Sequence, residues 1–196
     1  MRKLGLSNKR GQAFSTESIF AYLIFLIVFS AVIFLWNQST ANIMQAEHYV
    51  EVQDLGMVIT ENLVRTKGIP ENWTEGDYLS EDADDLYVEV IGLADESRIL
   101  DEDKVIAFMD MMNYTGAPDN YTSHKWLLGL SKPRFQLEFY FTITDLNSTV
   151  YNLSGRMLQT GRPPTENAIY EFPIVRTAIL EDEIVKVTLV VWNPEK

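Results

Sequence analysis

The chain has 196 residues, no cysteine and a formal net charge of −12 at pH 7. The missing thiol excludes a disulfide framework, a thiolate metal site and a cysteine nucleophile. The charge is also split: residues 1–12 carry four basic residues and no acid, whereas the remainder carries 12 basic and 28 acidic residues, a balance that repels nucleic acid.

After Arg2, Lys3, Lys9 and Arg10 comes an apolar run, Ile19 to Trp36, in which Ser30 is the only small polar residue. No charge occurs between Glu17 and Glu47. As a helix the run is roughly 27 Å long, close to the ~30 Å apolar core of a bilayer. It lacks the polar face that a soluble helix needs. The positive-inside rule keeps residues 1–12 in the cytoplasm and places everything after Trp36 outside. Tyr22 and Trp36 stand where interfacial aromatics lie. A secretory signal peptide is the competing interpretation, with Ser39-Thr40-Ala41 as its cleavage site. The apolar run exceeds the 7–15 residues that such a peptide uses.

Lys9-Arg10-Gly11-Gln12, the spacer Ser15-Thr16-Glu17 and the long apolar run resemble the N-terminus of archaeal type IV pilin-like proteins. Their class III signal peptides place basic residues and Gly-Gln before the apolar helix. The resemblance implies cutting by a prepilin-type peptidase at Gly11, Gln12 and Ala13. It also implies retention of the helix as a packing core, with a membrane platform and a cytoplasmic motor ATPase as further partners. The family places Ser and Glu third and fifth in the mature chain. Counted from Gln12, Ser15 and Glu17 are fourth and sixth; a cut after Gln12 makes Glu17 fifth. Gly68-Ile69-Pro70-Glu71-Asn72-Trp73, Ile91-Gly92-Leu93-Ala94 and Leu100–Lys104 are also similar to phrases in archaeal pilin-like surface proteins.

Beyond the run, Ile43, Val50 or Val52, Leu55, Ile59 and Leu63 keep a three-to-four spacing. The pattern predicts one helix from about Ser15 to about Thr66, ended by Lys67-Gly68 and Pro70. Four regions follow: a basic leader over 1–12, a membrane helix over 13–36, an amphipathic extension over 37–66, and an extracellular domain over 67–196. Residues 71–103 hold thirteen acids against Arg98. Without an Asp-x-Asp-x-Asp-Gly loop this stretch suits a solvated face better than a calcium site. It contains an expected loop, Gly76 to Asp85, and a short strand, Leu86 to Ile91.

Asp101 predicts an N-cap for a helix over 102–112, and Thr122 or Ser123 one for a short helix ending at Gly129. The period then changes to two. In Phe135 to Ile143 every odd position is apolar, which predicts a strand. Asp145–Ser148 turns the chain and Thr149–Leu153 returns it, with Gly155–Asn167 as a loop. Ile174–Leu180 and Ile184–Trp192 form a hairpin around Glu181-Asp182-Glu183. The expected fold class is α+β, a long N-terminal helix with a mostly antiparallel sheet as a pilin-like head.

No nucleophile elbow, P-loop, dinucleotide fingerprint or zinc-protease motif is present, so the sequence implies neither an enzyme nor a cofactor. His48 and His124 are far apart and suit surface or structural roles. Asn-x-Ser/Thr occurs at Asn37, Asn72, Asn113, Asn120, Asn147 and Asn152, against about 1.4 expected by chance. The excess predicts glycan addition on an exported domain, with Asn37 too close to the bilayer to serve. The functional expectation is a structural or adhesive pilin-like subunit, self-associating through residues 14–36, with Glu17 setting the register. The alternative is an uncleaved, membrane-anchored module that binds sugar or calcium.

Overall fold

The computed structural model describes residues 16–75, 88–130 and 136–194. Helix α1 runs Thr16–Arg65, with Glu17 in its first turn and Arg65 in its last. These bounds fall within a residue of the predicted ones, and the charges suit the helix dipole at both ends. The chain divides into two compact units, Met1–His48 and Tyr49–Lys196.

In the first unit the helix is the only described element, and all of its residues from Glu17 to Trp36 are exposed. Phe25 and Phe29 stack at 5.8 Å, one turn apart. Thr40 donates its hydroxyl to the Trp36 carbonyl at 2.9 Å, which satisfies the polar group within the helix itself.

The second unit is α+β. Its strands are β1 (Ala94–Glu96), β2 (Ile99–Leu100), β3 (Glu138–Thr144), β4 (Asn152–Leu153), β5 (Arg156–Met157), β6 (Gln159–Gly161), β7 (Tyr170–Leu180) and β8 (Glu183–Asn193). The main sheet has the order β1-β2-β7-β8-β3-β6, and only the β2–β7 pair is parallel. β4 and β5 form a separate two-stranded ribbon. Helices α2 (Glu102–Met111) and α3 (Pro118–His124) lie in sequence between β2 and β3.

Alternation builds the core as predicted. Phe139, Phe141 and Ile143 of β3, and Val185, Val187, Leu189 and Val191 of β8, are all fully buried. Against them pack the last turns of α1 through Val52, Ile59 and Leu63, each contributing about 1.5–3 kcal/mol by burial. Gly56 sits in the same stripe. A Cβ there would lie 2.6 Å from Ile174 Cδ1 and 3.3 Å from Val191 Cγ2, so the glycine allows the helix to approach the sheet closely.

Asp101 caps α2 by accepting from the Lys104 amide at 3.0 Å, as expected. Other expectations need correction. The second short helix starts at Pro118, because proline fixes a helical φ at the first position without wasting an N–H. Thr122 and Ser123 instead donate back to the Pro118 and Asp119 carbonyls from inside the helix. A 3-10 turn, Lys125–Leu128, then ends at Gly129 in the left-handed region, where the stop was placed. The expected loop Gly155–Asn167 contains β5 and β6, strands too short for periodicity to reveal. Part of the expected return strand Thr149–Leu153 becomes β4, which pairs with β5; Val150 makes one bridge to Thr144.

The expected loop Gly76–Asp85 and residues 86–87 lie outside the described residues. Val90 makes a single bridge to Ile69, and the regular strand comes later, at Ala94. Phe135 also lies outside them, and the strand predicted from it begins at Glu138. The β7–β8 hairpin is as predicted but tighter and longer, turning on Glu181 and Asp182, both with positive φ. Pro173 extends β7 toward its N-terminus. It is tolerated because β2 reaches the outer edge of β7 only at Ile179, which leaves no ladder partner for the missing N–H.

Two glycines separate a flexible neighbour from a rigid one. A Cβ at Gly92 would lie 2.1 Å from the Thr66 carbonyl oxygen and 2.4 Å from the Gly68 nitrogen, both backbone. Gly92→Ala should therefore cost about 2 kcal/mol or more, a drop in Tm of roughly 4–8 °C for the full chain in detergent. Gly56→Ala should cost less, since Ile174 can rotate its terminal methyl away. Thermal melts followed by circular dichroism check both, and equal losses would contradict the distinction.

Candidate functional site: an exposed apolar helix and its anchorage

The largest functional feature is a surface rather than a cleft. Glu17–Thr40 is long and apolar enough to cross a membrane, and none of it is buried. Ile27, Phe34 and Trp36 are 67–73% exposed. Leaving so many large apolar side chains in water would cost on the order of 20 kcal/mol or more, at about 1.5–3 kcal/mol each. That exceeds the net stability of an ordinary domain, about 5–15 kcal/mol. The segment is therefore suited to lipid or to packing against other helices. Its 24 residues span about 36 Å, enough to cross the apolar core.

The C-terminal end of the same helix is built into the second unit through its carbonyls. A helix leaves its last carbonyls without internal partners. Here Leu63 O accepts from Leu93 N at 2.9 Å, Val64 O from Arg98 N at 2.8 Å, and Thr66 O from Ala94 N at 3.1 Å. Lys104, only 7% exposed, places its ammonium 2.9 Å from the Lys67 carbonyl. A cation at that end also complements the dipole. Trp73 is fully buried and donates Nε1–H to the Gly92 carbonyl at 3.0 Å, which holds the capping segment in place.

A second tie crosses to the sheet. Glu61 accepts from Arg65 at 2.8 Å through one oxygen and from Arg176 of β7 at 3.0 Å through the other. The hydrogen bond from Arg65, then that from Arg176, holds the Glu61 carboxyl below the usual carboxylate range.

A further group of ionisable side chains gathers around Glu138. Glu138 on β3 takes Lys125 Nζ at 3.1 Å and Arg162 at 3.6 Å on one oxygen, and accepts from the Tyr121 hydroxyl on the other. Arg162 also lies over the rings of Tyr114 and Trp192, 5.4 Å from each. Burial first, then the hydrogen bond to Glu138, drives the Tyr121 hydroxyl far above its ordinary range. Both carboxylate oxygens are occupied and the phenol keeps its proton, so the group joins α3, the 3-10 turn and β3. The sequence pattern showed Glu138 only as an outward polar position; its partners come from 13 to 24 residues away and left no local signal.

Of the acidic stretch, Glu71, Glu75, Asp95, Asp101 and Asp103 line a shallow cleft with Lys67 and Lys104. Lys67 lies 3.4 Å from Asp95 and 4.0 Å from Glu71. Among the described residues no three His, Asp or Glu side chains converge as metal ligands. His124 donates Nδ1–H to the Asn120 carbonyl at 2.7 Å, and His48 lies on α1.

Of the expected processing residues, Gly11, Gln12 and Ala13 lie outside the described residues. Glu17 is exposed in the first turn of α1. Asn72, Asn113, Asn120, Asn147 and Asn152 are all exposed. No protein-family model, curated protein or solved structure matches the chain.

The Glu61 tie predicts a pH dependence. Its folded pKa lies below the unfolded value of about 4.5, so its stabilisation is present above that pH and is lost as pH falls through the folded value. Glu61→Gln should therefore be less stable than the wild type at pH 7, and the difference should shrink steadily below about pH 4.5. Urea titrations at pH 7, 4.5 and 3 measure the gap; one that stays constant across this range would rule out the linkage.

Proposed function

We propose that the chain is a pilin-like surface subunit, structural or adhesive rather than catalytic. It is anchored by Glu17–Thr40 and presents an acidic α+β domain outside the membrane. The observation that carries this reading is the uncovered apolar segment of a helix whose last turns form part of a folded domain's core. The basic N-terminus and acidic remainder support an inside-to-outside orientation. The resemblance over residues 9–36 supports archaeal type IV processing at Gly11, Gln12 and Ala13 by a prepilin-type peptidase, followed by handling by an assembly platform and its motor.

In this reading copies pack laterally through residues 14–36. Lipid already accommodates the helix, so association gains from packing fit and not from expelling water. Glu17 has a specific part. Cleavage beside Gln12 creates an α-amino cation close to the apolar bundle, where an unpaired charge is costly. Glu17 of a neighbouring copy pairs with it, and only one axial stagger brings the two together. The helix dipole alone accounts for about 0.3–1 kcal/mol at this position and needs no neighbour.

Glu17→Gln and Glu17→Ala should leave membrane insertion and the thermal melt of the domain unchanged, while incorporation into filaments falls. Filament yield by electron microscopy, with N-terminal sequencing of the mature chain, reads both points. Wild-type assembly of both variants, or a mature terminus at Met1, would leave the anchored binding module in its place.

Orientation has its own test. Protease added to intact cells should cut the exposed connection after β6, residues 162–169. Cutting only in inverted vesicles would reverse the topology.

A further inference from the structure

Asn-x-Ser/Thr becomes a glycan acceptor only where a transferase can seat three consecutive residues, and the fold separates the five motifs of the second unit on this criterion. At Asn72 the middle residue is Trp73, fully buried and hydrogen-bonded to Gly92. At Asn120 the triplet lies in α3, its middle residue Tyr121 is buried, and Thr122 spends its hydroxyl on Pro118. At Asn152 the middle residue is Leu153, fully buried. At Asn113 the middle residue Tyr114 packs edge-on to the Tyr121 ring at 5.3 Å, and Asn113 Oδ1 accepts from the Gly116 amide at 2.8 Å.

Asn147-Ser148-Thr149 differs in its packing, although Lys186 Nζ reaches the Ser148 hydroxyl oxygen at 3.4 Å. All three residues are exposed, at the tip of the turn that follows β3. The turn is held from below: Asp145 N donates to Thr149 O at 2.9 Å, Ser148 N to Asp145 O at 3.1 Å, and Thr149 N to Asp145 Oδ1 at 2.8 Å. Lys186 on β8 fixes it further with a 2.7 Å bond from Nζ to the Leu146 carbonyl. The Asn147 amide and the Thr149 hydroxyl take part in none of these bonds. The triplet can therefore be engaged without disturbing the core, whereas each of the other four must first be pulled from its packing.

We propose that Asn147 is the glycan acceptor of the folded domain. The donor class is an oligosaccharide joined through its anomeric carbon to a lipid phosphate or pyrophosphate. The bond from the anomeric carbon to the phosphate oxygen breaks and a bond to Asn147 Nδ2 forms. The lipid phosphate leaves with the electron pair of the broken bond, and the proton lost from the amide passes to water. In the cell this requires the domain to be outside, and so rests on the orientation proposed above.

The test is independent of that orientation. Full-length protein made without glycans, folded in detergent, is incubated with a single-subunit oligosaccharyltransferase and its lipid-linked oligosaccharide. Peptide mass spectrometry then gives occupancy at each asparagine. Asn147 should be modified at least about tenfold more than Asn72, Asn113, Asn120 or Asn152, because these need local opening first. After unfolding in urea and dilution into the reaction, the preference should fall to within about threefold, since no packing then separates the sites. Asn147→Gln should remove the signal from the folded chain. An unmodified Asn147 in the folded chain, or equal modification elsewhere, overturns the proposal. Protein from the native host reads the orientation separately. An unmodified Asn147 there, with selective transfer in vitro, sinks the outward placement and leaves the acceptor geometry standing.

Discussion

The second unit depends on how α1 ends. Ending a helix inside a domain exposes carbonyls that the interior cannot leave unpaired. The chain solves this by bringing back residues 93–98, whose amides meet the Leu63, Val64 and Thr66 carbonyls, and by adding the Lys104 ammonium at Lys67. Those same residues then start β1 and β2 and lead into the capped start of α2. At Gly92 a side chain would run into the Thr66 and Gly68 backbone and has nowhere to go. The end of the helix and the edge of the sheet are therefore one construction.

The parts legible in the sequence are those governed by strong periodicity or by capping chemistry. The long helix could be read from an unbroken apolar run and from the spacing of Ile59 and Leu63, and the core strands from strict alternation at Phe139, Phe141 and Ile143. Asp101 and Gly129 marked helix ends because a carboxylate acceptor and a left-handed residue have few other uses at those places. The short strands β5 and β6 could not be read, since two or three residues carry no period, and β4 is only the end of the longer return strand expected over Thr149–Leu153. Nor could the start of α3: Thr122 and Ser123 are good caps in principle, but Pro118 offers a rigid start four residues earlier, and the hydroxyls are then used inside the helix.

The candidate site was legible in a similar, uneven way. Composition alone identified the apolar segment long enough to cross a membrane, because no packing pattern was needed to see it. The anchorage was not, because carbonyl capping by a distant backbone has no residue signature. The Glu138 cluster was invisible for a related reason: its ligands are a tyrosine, a lysine and an arginine that look like ordinary surface residues until α3 and the connection after β6 close over them.

Scarce cations explain where the fold is stitched. Residues 49–196 contain 12 basic residues against 26 acidic ones. Of the nine that lie among the described residues, eight meet a carboxylate or a carbonyl: Arg65 and Arg176 on Glu61, Lys125 and Arg162 on Glu138, Lys67 on Asp95, Arg156 on Asp110, Lys104 on the Lys67 carbonyl and Lys186 on the Leu146 carbonyl. An exposed ion pair is worth little, at most about 1 kcal/mol. Several of these, however, are partly buried and shared between two elements. A domain with this much excess negative charge repels itself as it compacts. Placing the few cations at the helix end, at the start of β3 and under the β3 turn concentrates attraction where segments distant in sequence must meet. Other acids among the described residues, such as Glu89, Glu102, Glu166 and Asp182, are exposed, where water and salt screen their mutual repulsion.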